Sequence, residues 1–488
     1  MHPSDAVPAP GEAETRCVVS LNGGGNSVRG RLQRRRLGWR VTSKVLISGG
    51  CVLTLGERTP NYRQADVLID GDVVAEVGPG LRARDAEQVD ATDTIVMPGF
   101  VDTHRHTSMS LFRNLDQVGG VRSGISPASA AFGELSRPDD VYAATLIGLL
   151  GAAEAGITTV VDWSNVGPDE SLAEAALQAH ADAGLRTVFV HAPYSGATSH
   201  GAAGPRTGQD IVARLAGLAG PATRIASGSV VAAASDVPAL ANEWSRVREA
   251  GLRIHAHAGP KGWKHGVISE MAQAGLLGDD VTLAHLSHLD DADADALAAS
   301  GASVTMAPSS EMAVGLGPPP IQQLIGRDVR PGLGVDDERV APGDLFAQMR
   351  AAISMQHATV FDRKLAGKAG LPRLMSTRDV IRFATADGAR VAGLGGTTGS
   401  PEPGMQGDVV VLRTDRPNVF PINDPIGAVV WGMDTSNVDW VFVAGRVVML
   451  GGVLEADVER ARILATEARQ RVAEASGLVV GAVPGGEG

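Results

Sequence analysis

Between Gly99 and Asp336 the chain carries eight apolar, β-branched runs separated by Ala-rich stretches of helical character, and this alternation constrains the fold more than any other feature. The runs are Gly99 to His106, Ile157 to Trp163, Leu185 to His191, Arg224 to Val231, Leu252 to His257, Val281 to His285, Ala302 to Ala307 and Val329 to Asp336. A strand followed by a crossover helix returns the chain parallel to itself, so repeated βα units build a parallel sheet. Eight such units within about 240 residues predict a closed (β/α)8 TIM barrel of the α/β class rather than an open sheet. The linking helices are clearest where Ala dominates, as from Glu170 to Ala183.

Short β segments flank this block. Before it lie Val45 to Ser48, Cys51 to Leu55 and Ala65 to Ile69, with a turn at Asp70, Gly71 and Asp72 leading into Val73 to Val77. After it lie Asp408 to Leu412 and Val438 to Val448, the latter turning at Ala444 and Gly445. The two ends together predict one small β-sandwich. The expected organisation is therefore a disordered N-terminal extension over 1–42, rich in Pro, Gly and Arg, followed by the first sandwich part over 43–97. The barrel then takes 98–403, the second sandwich part 404–455, and a C-terminal helix with a flexible tail 456–488.

With 488 residues, 44% of them hydrophobic, the chain is long enough to bury a large core. Its net charge of -12 offers no positive field to hold a phosphate backbone, so no nucleic-acid partner is expected. The only cysteines are Cys17 and Cys51, which excludes a disulfide framework and a multi-cysteine zinc site and fits the reducing cytoplasm. Any metal must then sit on histidine and carboxylate. No run of 18 apolar residues occurs, so no membrane span or membrane partner is expected. Arg34, Arg35 and Arg36 raise the question of a twin-arginine export signal. The polar stretch that follows, with Arg40 and Lys44 and no small-residue cleavage site, favours a plain extension.

His104 and His106 alternate in a segment of strand character, so both side chains leave one face and can reach one ion. His257 ends the fifth run, His285 the sixth and Asp336 the eighth. Each alone reads as a structural histidine or a helix-capping aspartate. In a barrel, however, the carboxyl ends of the strands converge on one face, and imidazole and carboxylate groups at four of those ends predict a metal site.

From Lys44 to Leu454 the chain resembles the amidohydrolase superfamily, and within it the aminohydrolases and chlorohydrolases that act on nucleobases, adenosine derivatives and triazines. The resemblance rests on PGFVDTHRHTSMSLFRN at 98–114, IHAHAG at 254–259, AHLSHLDDAD at 284–293, APSSEM at 307–312, GLGVDD at 332–337 and TADGARVAGL at 385–394. PGMQGDVVVL at 403–412 and VFVAGRVV at 441–448 look like that family's composite sandwich. The resemblance implies His104, His106, His257 and Asp336 as metal ligands and His285 as the group touching the attacking water or the substrate. It also implies a small-molecule substrate and a homodimer. The donor set suits one divalent ion, Zn²⁺ or alternatively Fe²⁺, which lowers the pKa of bound water from ~16 toward ~7. Asp336 could then both ligate and accept the proton of that water. Dinuclear members bridge two ions with a carboxylated lysine on the fourth strand. Here lysine occurs only at Lys44, Lys261, Lys264, Lys364 and Lys368, so a mononuclear site is expected.

One position departs from the pattern. The deaminating branch carries a glutamate three residues after the fifth-strand histidine, where it shuttles protons to the leaving nitrogen, and this chain has Pro260. General acid catalysis of that kind is worth ~10² to 10⁴-fold. Substitutes within the sequence are His255, His288, Glu311, Asp337 and Lys261, with Glu311 and His288 foremost. The expected activity is hydrolysis of a carbon–nitrogen or comparable leaving-group bond in a small polar substrate. Its alternative is lyase, hydratase or cyclase chemistry, motivated by Pro260. A non-catalytic binding protein is a third reading, against which the intact ligand set argues. Arg105, on the opposite strand face, reads as structural. Arg113, Trp163 and His191 are candidates to line a pocket, and Asp102 to hydrogen-bond behind the ligands.

Overall fold

The computed structural model describes residues 44–115, 127–166, 169–192, 209–231, 237–258, 266–287 and 289–481. The expected extension over 1–42 lies outside them, as do Pro260, Lys261 and His288. The N-terminal β segments form β1 (Lys44–Val52), β2 (Tyr62–Asp70), β3 (Val73–Gly78), β4 (Glu87–Asp90) and β5 (Thr94–Pro98). The two short runs expected at 45–48 and 51–55 are one strand, β1. Its register shifts between Ile47 and Gly50, where Gly49 takes a φ of +85° and a Cβ on Gly50 would lie 2.7 Å from Val96. Only glycine accepts that crossing.

The eight apolar runs become β6 (Phe100–Arg105), β7 (Ile157–Ser164), β8 (Arg186–His191), β9 (Thr223–Val231), β10 (Arg253–Ala258), β11 (Val281–His285), β12 (Ser303–Met306) and β13 (Gly332–Leu333). They pair in parallel in that order. β7 and β8 are buried at every residue, as strands covered on both faces must be. The covering helices bury one stripe each. The helix Glu170–Ala183 turns Ala173, Ala176, Leu177, His180 and Ala183 inward, a 3–4 spacing. It starts where the Asp169 side chain accepts from Ser171 N and stops at Gly184 with φ 72°.

The barrel closes between its first and last strands, and glycine makes this possible. A Cβ on Gly334 would lie 2.5 Å from the His104 carbonyl oxygen, and one on Gly332 2.6 Å from the Thr103 side chain. Asp336 N donates to His104 O (2.8 Å) and His106 N donates to Asp336 O (2.9 Å), so an isolated parallel bridge between Arg105 and Asp336 completes the ring. Behind β6, Phe100 meets Phe346 edge-on at 4.9 Å, a contact worth ~0.5–1.5 kcal/mol beyond the area it buries.

The C-terminal strands β14 (Val409–Arg413), β15 (Val438–Val443), β16 (Arg446–Leu450) and β17 (Val453–Leu454) join the N-terminal ones in a single nine-stranded mixed sheet. β14 lies antiparallel to both β5 and β15 and so stitches the two chain ends together. β4 and β5 run along the first and second halves of β1. Helix Val458–Ser476 follows. Among the described residues, no helix is long and apolar enough to cross a membrane.

Candidate metal centre

The carboxyl ends of β6, β10 and β11 and the turn after β13 bring together the residues that the strand-end pattern singled out. His104, His106 and His257 offer ring nitrogens within 4.8 Å of one another, and the ring nitrogens of His104 and His285 lie equally close to each other and to a carboxylate oxygen of Asp336. His104 Nε2 faces His257 Nε2 at 3.0 Å, Asp336 Oδ1 at 3.5 Å, and Asp336 Oδ1 faces His106 Nε2 at 3.4 Å. Donor atoms ~2.0–2.1 Å from a tetrahedral ion stand about 3.3–3.4 Å from each other, so the spacing fits a zinc-sized cation.

The electrostatics fit as well. Burial, aided by the neighbouring imidazoles, lowers His104 to about 4 and holds His257 well below the ordinary histidine value, so both keep a lone pair to donate. Burial opposes charge on Asp336 too, but the hydrogen bond from His104 and the surrounding imidazoles hold its carboxyl well below the usual range. The Asp336 carboxylate beside the imidazoles of His104, His106 and His257 is a donor set for a divalent cation. The backbone is strained here: His285 and Asp336 have φ of 79° and 63°, left-handed values that non-glycine residues adopt at a cost of ~1–3 kcal/mol.

Supporting partners orient the donors. His106 Nδ1 lies 3.1 Å from the Trp163 carbonyl oxygen, which only accepts, so Nδ1 carries the proton and Nε2 the lone pair. Ser310 Oγ donates to Asp336 Oδ2 (2.7 Å), and Glu311 Oε1 meets His285 Nδ1 at 3.0 Å while accepting from Ala307 N at 2.9 Å. These two residues sit side by side on the short helix Pro308–Ala313. Glu311 Oε2 has no hydrogen-bond partner among the described residues. Burial raises the Glu311 carboxyl. His285 is also raised, for although burial lowers it, its hydrogen bond to Glu311 and the charge of Asp336 outweigh that. The pair therefore retains a proton.

The other candidates differ in what surrounds them. Asp337 accepts from Arg339 Nε at both carboxylate oxygens (2.9 Å) and from Arg339 N at Oδ1. His255 is buried, driven to about 3 by burial and then by the charge of Arg253, and its Nε2 has no partner among the described residues. His191 is buried and driven to about 4 by desolvation alone. Arg105 is fully buried against Asp102 (3.1 Å) and Glu338 (3.0 Å), and Arg113 also binds Glu338 (2.9 Å). Glu338 thus anchors two arginines and Ser110 behind the site. Asp102 accepts from His104 N and Val335 N and pairs with Arg105, and the β6–β7 register shifts between Asp102 and Arg105. Burial outweighs Arg105 and lifts Asp102 to about 6. Sequence reasoning passed over Ser310, although the APSSEM segment contains it; nothing local marks a serine whose partner lies 26 residues away.

Comparison with known proteins gives the family. Residues 95–448 match the Amidohydrolase family. The chain is 29% identical over 427 residues to a 5'-deoxyadenosine deaminase of Methanothermobacter thermautotrophicus, covering 84% of this chain and 94% of that one. It is 30% identical over 430 residues to a 5-methylthioadenosine/S-adenosylhomocysteine deaminase of Desulforudis audaxviator, covering 83% and 95%. In fold it matches a zinc-bound adenosine deaminase of Xanthomonas campestris, with a TM-score of 0.75 at 20% identity over 88% of this chain and 98% of that one. An atrazine chlorohydrolase of Arthrobacter aurescens complexed with zinc gives a TM-score of 0.71 at 22% identity over 87% and 100%. A (β/α)8 barrel with a strand-end His/His/His/Asp cluster and a two-ended β domain defines the class, and the chain belongs to the amidohydrolase family. It is a metal-dependent hydrolase of carbon–nitrogen bonds other than peptide bonds in small molecules.

Proposed function

We propose that the chain is a mononuclear Zn²⁺-dependent deaminase of a small nitrogen-bearing ring, with adenosine-type nucleosides the first class to test and Fe²⁺ the alternative ion. The convergence of His104, His106, His257 and Asp336 beside the His285–Glu311 pair carries this reading. The names of the relatives direct the choice of substrate.

A divalent cation on His104, His106, His257 and Asp336 would act as a Lewis acid and make water nucleophilic near neutral pH. Asp336 stays ionised and is the group to take the proton of the attacking water. Ser310 binds Oδ2, which leaves Oδ1 turned toward His104 and His106. His285, held through Nδ1, has Nε2 left for the reacting centre. The departing nitrogen needs a proton as its bond to carbon breaks. His285 gives one from Nε2 and regains one at Nδ1 from Glu311, so Glu311 does the work that Pro260 cannot. Lyase, hydratase or cyclase chemistry loses its motivation if Glu311 acts in this way.

Two measurements on the purified protein test the proposal. Elemental analysis is expected to give one Zn²⁺ or Fe²⁺ per chain, and incubation with adenosine-type nucleosides, free nucleobases and triazines is expected to release ammonia. Product formed in ¹⁸O water should carry the label. A metal-free protein overturns the ligand assignment, and turnover without label overturns hydrolysis. The proposal extends to a homodimer in the cytoplasm, the first supported by the family resemblance and the second by the two cysteines. Light scattering and cell fractionation check those points.

A further inference from the structure

Trp163 takes no part in the chemistry derived above, yet its ring meets three of the four proposed ligands. It stacks on His257 with centroids 3.9 Å apart and planes within 10°, and stands edge-on to His104 at 5.7 Å and His106 at 6.5 Å. Its carbonyl oxygen accepts a hydrogen bond from His106 Nδ1. Trp163 is only 2% exposed, so it does not serve as a platform for a substrate ring. It packs instead in a cluster with Val101, Val161, Val188 and Val190.

We propose that Trp163 is a positioning residue that fixes the plane of the His257 imidazole and thereby sets the geometry of the metal centre. This rests on the metal reading given above. The χ2 torsion of histidine is broad, so a strand alone leaves the ring free to turn. A flat indole face at stacking distance removes that freedom. A bound cation withdraws electron density from the imidazole, which strengthens its attraction to the electron-rich indole face. An aliphatic side chain of similar size fills the space without supplying the face.

The experiment compares Trp163→Phe with Trp163→Met. Zn²⁺ affinity is measured by competition with a chelator, and the visible spectrum is taken after Co²⁺ substitution; the His106–carbonyl contact uses the backbone and survives in both variants. Partners behind metal ligands are worth ~10–100-fold in affinity. Trp163→Met should lose that much and shift the cobalt bands. Trp163→Phe, with a smaller flat face, should lose about threefold to tenfold with a smaller shift. Thermal unfolding of the metal-free proteins checks that both fold. If Trp163→Met does not fold, Trp163→Phe decides alone, and wild-type affinity together with a wild-type cobalt spectrum overturns the inference. A Met variant that binds as well as the Phe variant also overturns it. A wild-type chain that binds neither ion overturns the metal reading and this inference with it, whereas a binding wild type matched by both variants overturns this inference alone.

Discussion

At the start of β8 the Arg186 guanidinium grips Asp408 through Nε (2.6 Å) and Nη2 (3.1 Å) and also reaches Gln406, while Asp408 accepts from Ala444 N. At the opposite, carboxyl ends of the barrel strands, His104 and His257 aim two Nε2 atoms at each other, and Glu311 Oε2 and His255 Nε2 find no partner among the described residues. Both regions bury charge. In the first, each buried charge meets its complement in forked geometry, and the result is a joint between barrel and β domain. In the second, two imidazole Nε2 atoms face each other and a carboxylate sits among buried imidazoles, an arrangement that costs free energy until a cation or substrate joins it. Paired charge ties two parts of the chain together in the first region, and donor atoms converge without pairing in the second.

Five substitutions would break or sharpen this contrast. The largest effect is expected from Asp336→Ala or His106→Ala, which should abolish metal binding or cut turnover by several orders of magnitude; full metal content with near wild-type turnover in either variant would show the cluster to be ordinary core. Glu311→Gln comes next. It keeps the shape but not the proton, so kcat should fall by ~10² to 10⁴ while KM and metal content change far less. Steady-state kinetics decides, and an unchanged kcat removes Glu311 from the reaction. Ser310→Ala should weaken metal affinity by ~10–100-fold, since it frees the Asp336 carboxylate to turn; chelator competition measures this.

The smallest effect on turnover belongs to Asp408→Ala. Leaving Arg186 buried without its partner should cost about 3–5 kcal/mol of stability, read as a lower denaturation midpoint. The molecules that stay folded should turn over substrate at close to the wild-type rate. A stable Asp408→Ala protein with lost activity would mean that the two regions are not separable.

Much of this arrangement is legible along the chain. The run Ile157 to Trp163 is β7 within one residue, and Glu170 to Ala183 is a helix over those same residues. The eighth run is less legible. Val329 to Asp336 reads as a strand, but only Gly332–Leu333 pairs as one, because Pro331 interrupts what precedes it and Asp336 turns left-handed after it. That turn is invisible to a pattern of apolar residues, since aspartate does not announce a positive φ as glycine does. Nor does alternation show that Asp102 accepts from His104 N and Val335 N and pairs with Arg105.

Of the groups considered as a stand-in for the missing glutamate, Asp337 and Glu311 look alike in sequence, each a carboxyl beside a strand end. Their neighbours separate them. Asp337 is held by Arg339 two residues away, whereas Glu311 reaches His285 across 26 residues. The sequence by itself determined the βα alternation, the β segments at both ends and a donor set of histidine and aspartate suited to one cation. Only the tertiary structure decided which face each donor shows and which group holds it. Hydrophobic periodicity is written between residues two to four apart. The hydrogen bonds that orient this site join residues 57 apart, as His106 to Trp163, or 233 apart, as Val335 to Asp102, and exist only once the strands converge.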